Sequence, residues 1–428
     1  MRLPTLHALG IPHTITSKEY LACAFTQKVY NHCPMLTNLC WNVIHYGNEA
    51  STVPCTEHVT VTTKDDLKKT YGDIDYWKTQ QFIHNRNSHI YKTYYENTIR
   101  EVRKRAKKDD LILCFFGTGH KPVADALTDL PVHIVEPGIG YPRTFAPHRV
   151  FESSAKQAFV AGQRHERHLL QQQYKNKIPE IAAWDPTDVE PYTVPKWTDA
   201  VIPNYFNPDE FEGSDEKEDY FLFVGRIQRS KGIEIAMHVA NYFQKRLVVA
   251  GQGDFKTNLD IEPYPIVDCV GTVGVEGRKQ LMSKAKIGFA PSLYREPFCG
   301  AHIEYAFSEL PSLVTNWGVF HETIKQEKYG YRCTSYNDFI WAAEHIDRIN
   351  SHECRDWAIR NFSMDRVSLM YDQYYRHVVR HANAQHFWYL NQDRDDEDGL
   401  SWLNQEMTYE EIQAGILRAR ERNQLCMN

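Results

Sequence analysis

Gly288–Phe320 reads GFAPSLYREPFCGAHIEYAFSELPSLVTNWGVF, and this stretch decides the fold. Ile287 to Ala290 is an apolar run that predicts a buried strand. It breaks at Pro291-Ser292, and a loop then carries Glu296 and Pro297. A helix begins near Cys299-Gly300 with Glu304 in its second turn. Pro311 ends the segment, and Ser312 to Thr315 starts another strand. Strand, loop, helix, strand is the unit of a doubly wound α/β sheet. Glu296 and Glu304 bracket a helix N-terminus, whose unpaired N–H groups and positive dipole end suit a phosphate. Two acceptor carboxylates around an anion seat are what a nucleotide diphosphate sugar needs.

The same unit recurs upstream. Tyr220 to Val224 predicts a buried strand delivering GRIQRSKG, Gly225 to Gly232, and then a helix to Phe243. Arg226 and Lys231 are placed to converge on one anion at the helix mouth. Arg229 is expected to be solvated. Leu247 to Ala250 runs into Gly251-Gln-Gly253-Asp254, and Val267 to Val270 runs into Gly271-Thr272-Val273. Glu276 to Ala285 predicts a helix with Arg278 and Lys279 solvated.

Taken in order, G-R-x4-K-G, G-x-G-D, G-T-V and E-x7-E resemble the family-4 retaining glycosyltransferases (glycosyl transferases group 1), which have the GT-B fold. Here the last motif reads EPFCGAHIE, with Cys299 where the family has glycine. The resemblance implies two Rossmann-like doubly wound α/β domains facing across a cleft. It implies a donor site of Arg226, Lys231, Gly251, Gly253, Thr272, Val273, Glu296, Phe298, Cys299, Gly300 and Glu304. In that site Arg226 and Lys231 bind the diphosphate, Glu304 the ribose and Glu296 the donor sugar. No metal is required, and the only co-substrate is a nucleotide diphosphate sugar, with a UDP- or GDP-sugar favoured. Asp199–Phe211, DAVIPNYFNPDEF, resembles the end of the family's first domain, with Tyr205 in place of glycine. Phe362 to Tyr375 resembles the helix ending the second. The expected division is therefore 1–211, an acceptor-side domain; 212–219, the charged linker EGSDEKED; 220–384, the nucleotide-sugar domain; and 385–428, a helical extension partly returning to the first domain.

The first half matches by layout. Strands are predicted at Leu3 to Ile11, Asn42 to Tyr46, Val59 to Thr62, Leu111 to Phe116 and Val132 to Glu136, with helices at Ser17 to Leu36 and about Tyr76 to Lys108. Glycines in GTGHK, after the 111–116 strand, let a ligand approach the sheet's carboxyl edge. His120 is the candidate catalytic residue there, facing the transferred sugar or else packing locally. Glu136 and Arg143 are candidate acceptor contacts, and Arg149 is a further one. The basic end of the long helix, residues 100–108, is either a solvated face or a patch for peripheral contact with a polyanion such as anionic lipid. Arg164–His168 contains an H-x-x-H without a third zinc ligand. Trp184 to Pro195 reads as a loop, and the acidic run at Asp393 as a solvated turn.

At 428 residues, two domains are the natural division. A formal charge of −6 makes nucleic acid an improbable partner. Ten cysteines without a C-x-x-C pair, and an N-terminus broken by Pro4 and Gly10, predict reduced thiols and a cytoplasmic chain. The expected activity is retaining transfer of a hexose or similar sugar to an acceptor that the residues leave open: glycan, lipid-linked sugar, protein or modified base. Alternatives are a sugar-nucleotide epimerase of the same layout, a non-catalytic sugar-nucleotide sensor, and a metal-dependent transferase using Asp73-Ile74-Asp75 as a D-x-D.

Overall fold

The computed structural model describes residues 2–20, 23–74, 84–174, 176–179, 199–381 and 406–426. The expected loop at 184–195, the acidic run at 393, the start of the long helix at 76 and the second aspartate of the D-x-D, Asp75, lie outside them. The chain forms two compact units. One holds Met1–Glu152, Gln157–Pro203 and Val367–Asn428, and the other holds Ser153–Lys156 and Asn204–Arg366. The expected divisions were 211 and 384. The structure divides the chain at Pro203 and, inside a continuous helix, at Val367.

The first unit is built on β1 (Leu6–Leu9), β2 (Val43–Asn48), β3 (Glu57–Thr62), β4 (Leu111–Cys114), β5 (His133–Ile139), β6 (His148–Phe151) and β7 (Ala200–Val201). They lie in the order β3-β2-β1-β4-β5-β6-β7, every neighbouring pair parallel. Its helices are α1 (Ala24–Thr37), α2 (Lys64–Tyr71), α3 (His89–Arg105), α4 (Lys121–Asp125) and α5 (Ser154–Tyr174), the last beginning in the other unit's Ser153–Lys156 segment. Strands covered on both faces read as unbroken apolar runs, as LILC does in β4, which is fully buried. β6 escaped the sequence reading because Arg149 interrupts its run; the guanidinium is buried against Asp199, at 2.8 and 2.7 Å.

The second unit holds β8 (Tyr220–Val224), β9 (Arg246–Ala250), β10 (Val267–Gly271), β11 (Ile287–Ala290), β12 (Ser312–Thr315) and β13 (Gly330–Cys333) in the parallel order β10-β9-β8-β11-β12-β13. Around it run α6 (Ile233–Tyr242), α7 (Phe255–Leu259), α8 (Val275–Lys284), α9 (Gly300–Phe307), α10 (Phe320–Thr323), α11 (Tyr336–Glu344) and α12 (Ser351–Phe362). A core including Phe221, Phe223, Val248, Phe289, Ile303 and Phe307 fills the space between sheet and helices.

The chain then returns. α13 (Met364–His381) was expected to close the second domain, yet from Val367 onward it belongs to the first unit. Asp372 accepts from the Trp41 indole at 2.9 Å, and Tyr375 shares a 2.7 Å bond with His32. α14 (Tyr409–Leu425) joins it through Asn423, which donates to the Leu39 carbonyl at 2.6 Å. All ten cysteines are free thiols. No helix among the described residues is long and apolar enough to cross a membrane.

Candidate functional site

In the second sheet the strand order reverses at β8, whose neighbours are β9 and β11. Loops leaving the carboxyl ends of β8 and β11 depart from that point, which is where open α/β sheets bind ligands. Both predicted motifs stand on these loops. The first crosses Gly225–Gly232 and tightens into a 3-10 turn at Arg229–Lys231. Gly232 has φ +71°, and a Cβ there would sit 1.9 Å from the Pro291 carbonyl oxygen. Only glycine lets the two loops press together this closely. Leu293 N–H then donates to the Ser230 carbonyl at 2.8 Å.

That contact delivers Lys231 to Glu296. Nζ lies 2.6 Å from Oε1, and Tyr294 Oη is 3.1 Å from the same nitrogen. Ser292 donates to Oε1 at 2.6 Å and Tyr294 to Oε2 at 2.5 Å. Glu296 is buried, so these donors replace water around its charge. Burial alone would lower the Lys231 pKa, but the Glu296 charge outweighs it and the ammonium is held above its ordinary value. Arg226 is exposed and has no hydrogen bond or ion pair among the described residues. The expected Arg226–Lys231 convergence is therefore replaced by a Lys231–Glu296 pair, with Arg226 standing apart.

Cys299 precedes α9 at φ +66°, the left-handed region that glycine adopts without strain. Burial, then the Glu296 carboxylate, pushes its thiol up to about 12. Phe298 was an expected donor contact. Its ring is instead buried in the core, 5.7 Å from Phe362 and 6.3 Å from Phe206 between centroids. Gly300 has ordinary room for a side chain. One turn into α9, Glu304 receives both oxygens' contacts from Arg278 Nη1, each at 3.0 Å. Arg278 is thus not solvated, as its sequence suggested, because α8 lays it across Glu304. The next residue fixes the helix: Tyr305 Oη accepts from Val224 N–H at 2.8 Å and donates to the Phe289 carbonyl at 3.2 Å, joining the ends of β8 and β11.

Gly251 and Gly253 act through the backbone. A Cβ on Gly251 would lie 1.9 Å from the Gly225 carbonyl oxygen, and Gly253 has φ +105°. They hold the β9 loop against the β8 loop. Thr272 is exposed and Val273 half-buried, next to Gly271 at the end of β10. A residue that sequence reasoning passed over is Lys156. Its backbone N–H donates to Ser153 Oγ at 3.0 Å, and Ser153 Oγ donates to the Pro297 carbonyl at 2.6 Å. Burial and then the Arg295 charge hold this lysine down to about 8. Nothing local in its sequence signalled it, because the partners are far along the chain.

In the first unit, His120 is fully buried. Its Nε2 lies 2.9 Å from the Gly10 carbonyl oxygen, which only accepts, so Nε2 carries the proton and Nδ1 is a buried acceptor with no partner among the described residues. Burial holds the ring down to about 4, against the pull of that carbonyl. The imidazole braces the β1 loop against the β4 loop and does not face open space. Glu136, expected at the acceptor, is fully buried, and its oxygens take Tyr141 Oη at 2.9 Å, Phe145 N–H at 2.8 Å and Ala146 N–H at 2.9 Å. Burial pushes that carboxyl up to about 7 despite the three donors. Arg143 is exposed at the rim of a cavity of about 350 Å³.

Cations in the 100–108 segment are largely engaged: Arg105 and Lys104 with Glu101, and Arg103 with Asp129. In the H-x-x-H, His168 bonds Gln172 at 2.7 Å. His352 lies between Glu309 at 3.2 Å and Asp215 at 3.4 Å, and its two ring nitrogens each face a carboxylate, as an imidazolium does. The hydrogen bond to Glu309 raises its pKa.

Residues 207–361 match the family Glycosyl transferases group 1. An uncharacterized glycosyltransferase of Methanocaldococcus jannaschii is 28% identical over 201 residues, 41% of this chain, and the chain spans about half, 50%, of that relative's length. Among solved structures, AviGT4, a glycosyltransferase involved in avilamycin A biosynthesis, superimposes with a TM-score of 0.57 at 19% identity, over 88% of this chain and 98% of its own. Sucrose-phosphate synthase from Thermosynechococcus elongatus gives 0.59 at 14%, over 88% and 99%. HepE from Anabaena, solved in complex with UDP-glucose, gives 0.52 at 14%, over 85% and 97%. At these identities the structural likeness speaks for the fold. The chain therefore has the two-domain α/β fold of the GT-B glycosyltransferases and carries a glycosyl transferases group 1 domain in its second unit.

Proposed function

We propose that the protein is a retaining glycosyltransferase that moves a sugar from a nucleotide diphosphate sugar to a hydroxyl of its acceptor. The observation that carries this reading is the Lys231–Glu296 pair between the two loops at the strand-order reversal, with the Arg278–Glu304 pair between α8 and α9, the helix that the second loop enters. UDP is the first nucleotide to test, since the structural neighbour HepE binds UDP-glucose. Lys231, with Arg226 swinging in from solvent, would neutralise the departing diphosphate. Each well-placed donor of this kind is worth about 3 kcal/mol in a dry site. Glu304, oriented by Arg278, accepts from the ribose hydroxyls.

Glu296 is held by three donors through both oxygens, which favours accepting a sugar hydroxyl over attacking carbon. Configuration is then retained by front-face attack. The bond from the anomeric carbon to the diphosphate oxygen breaks, and its electron pair leaves with the diphosphate. The acceptor oxygen bonds that carbon on the same face, and its proton passes to a diphosphate oxygen. The charge stabilisation comes from side chains of the chain itself.

A thermal-shift panel of UDP-, GDP-, ADP- and dTDP-sugars tests the donor. Nuclear magnetic resonance of the product's anomeric proton with the stabilising donor tests retention. An inverted product removes the retaining mechanism. Donor converted into an isomer without acceptor would make the chain an epimerase, and binding with no turnover against any acceptor would leave a sensor.

A further inference from the structure

The G-T-G of the β4 loop has a purpose that the donor site does not use. Gly117 has φ +49°, and a Cβ there would press within 2.9 Å of the Tyr141 ring; one on Gly119 would reach 2.2 Å from the Phe116 ring. The glycines make room for two aromatic walls. Phe25 closes a third side, edge-on to Phe116 at 6.2 Å and to Tyr141 at 5.8 Å. Together these rings line the cavity of about 350 Å³ in the first unit. That is near the small end of the range for small-molecule sites, roughly 300–1,000 Å³.

Two arginines, Arg86 and Arg143, also line it, and both are exposed. Arg86 donates to Thr118 Oγ1 at 2.8 Å. Neither guanidinium has a carboxylate partner among the described residues, whereas the cations of α3 do. Aromatic walls take a ring face, and a guanidinium fork takes a planar or tetrahedral oxyanion.

We propose that this cavity seats the acceptor, and that the acceptor is a ring-bearing anion: its ring among Phe25, Phe116 and Tyr141, its phosphate or carboxylate against Arg86 and Arg143. This rests on the transferase reading for the word acceptor, while the binding chemistry stands on the cavity alone.

Isothermal titration of the full chain with phenyl phosphate, benzoate, phenol and inorganic phosphate tests it, with UDP as an independent probe of the second unit. Phenyl phosphate or benzoate should bind at least tenfold more tightly than phenol or inorganic phosphate, and the better of the two identifies the anion. Arg143→Gln and Arg86→Gln should each weaken that binding about tenfold and leave UDP affinity unchanged. Phe25→Leu should weaken phenyl phosphate and not inorganic phosphate. Phenol binding as well as phenyl phosphate, equal binding by the arginine variants, or no phenyl phosphate or benzoate binding in a chain that binds UDP overturns the proposal. Ring-anion binding in a chain that ignores every nucleotide supports the cavity and removes the transferase reading instead.

Discussion

Replacing Lys231 by methionine separates two effects that the structure places on one side chain. The first is stability. Breaking a buried ion pair by removing one partner costs about 3–5 kcal/mol when nothing else satisfies the survivor. Here Glu296 keeps the Ser292 and Tyr294 hydroxyls at 2.6 and 2.5 Å. The lysine side chain is also 22% exposed, so water already screens part of the pair. The loss should therefore fall near 2 kcal/mol, below the range for a dry, unsupported charge. The second effect is donor binding. A charge-assisted hydrogen bond to the diphosphate is worth about 1.5–3 kcal/mol, so UDP affinity should drop roughly 10- to 100-fold.

Glu296→Gln makes the test sharper, because the sign changes. With the carboxylate gone, Lys231 is released from its 2.6 Å partner and is free to meet the diphosphate. UDP should then bind as well as before or more tightly, while turnover of the UDP-sugar falls. Titration calorimetry with UDP, urea unfolding, and turnover of the sugar nucleotide read the three quantities. An unchanged UDP affinity in a folded Lys231→Met chain would refute the site. So would a parallel loss of UDP binding in both variants, since that would mean the pair merely holds the loops together.

Other consequences are independent of the ligand. Gly232→Ala forces a Cβ to 1.9 Å from the Pro291 carbonyl at φ +71°; urea unfolding should show at least about 3 kcal/mol lost, against about 1 for left-handed strain alone. Tyr305→Phe leaves the Val224 N–H without its 2.8 Å acceptor and should cost about 1–3 kcal/mol; a midpoint equal to wild type would show that water replaces the hydroxyl. Burial holds His13, His32 and His45 down to about 3 and His120 and His302 to about 4, all below the ordinary 6.5. Depressed folded values mean stability that is present above pH 6.5 and lost as the pH falls toward 4. From pH 7.5 to 5.5 the five histidines cost about 7 kcal/mol together, and Glu136, raised to about 7 from 4.5, returns about 2. A net fall near 5 kcal/mol is expected in urea unfolding at the two values, and a flat profile would refute the buried neutral histidines.

The parts of the fold legible in the sequence are those whose signal is local. YFLFV and IGFA read as strands because a parallel strand buried on both faces needs nothing but apolar residues. Each was followed by the glycine or proline that turns the chain at the sheet edge. α2 was missed although its signal was printed: Thr63 and Asp66 form a capping box. The helix is short and polar, with Leu67 alone buried, so periodicity was silent.

The site divides along the same line. Motif spacing placed Lys231 and Glu296 on the loops after β8 and β11 and Glu304 inside α9, since loop and helix-start positions are local facts. Their partners were not legible. Arg278 looked like a solvated cation because a surface charge and one laid across a neighbouring helix have the same sequence; only the packing of α8 beside α9 distinguishes them. Glu136 looked available because its strand seemed to end there. The strand runs on to Ile139, and the following turn folds Tyr141, Phe145 and Ala146 back onto the carboxylate. In both cases a charged side chain near a ligand edge was already satisfied by protein. Arg143 and Arg86 are the converse: they line a cavity with no carboxylate partner among the described residues. Exposed guanidiniums beside a preformed aromatic cavity are better evidence for a ligand than a motif residue whose hydrogen bonds are complete, because only the former gain a partner when something binds.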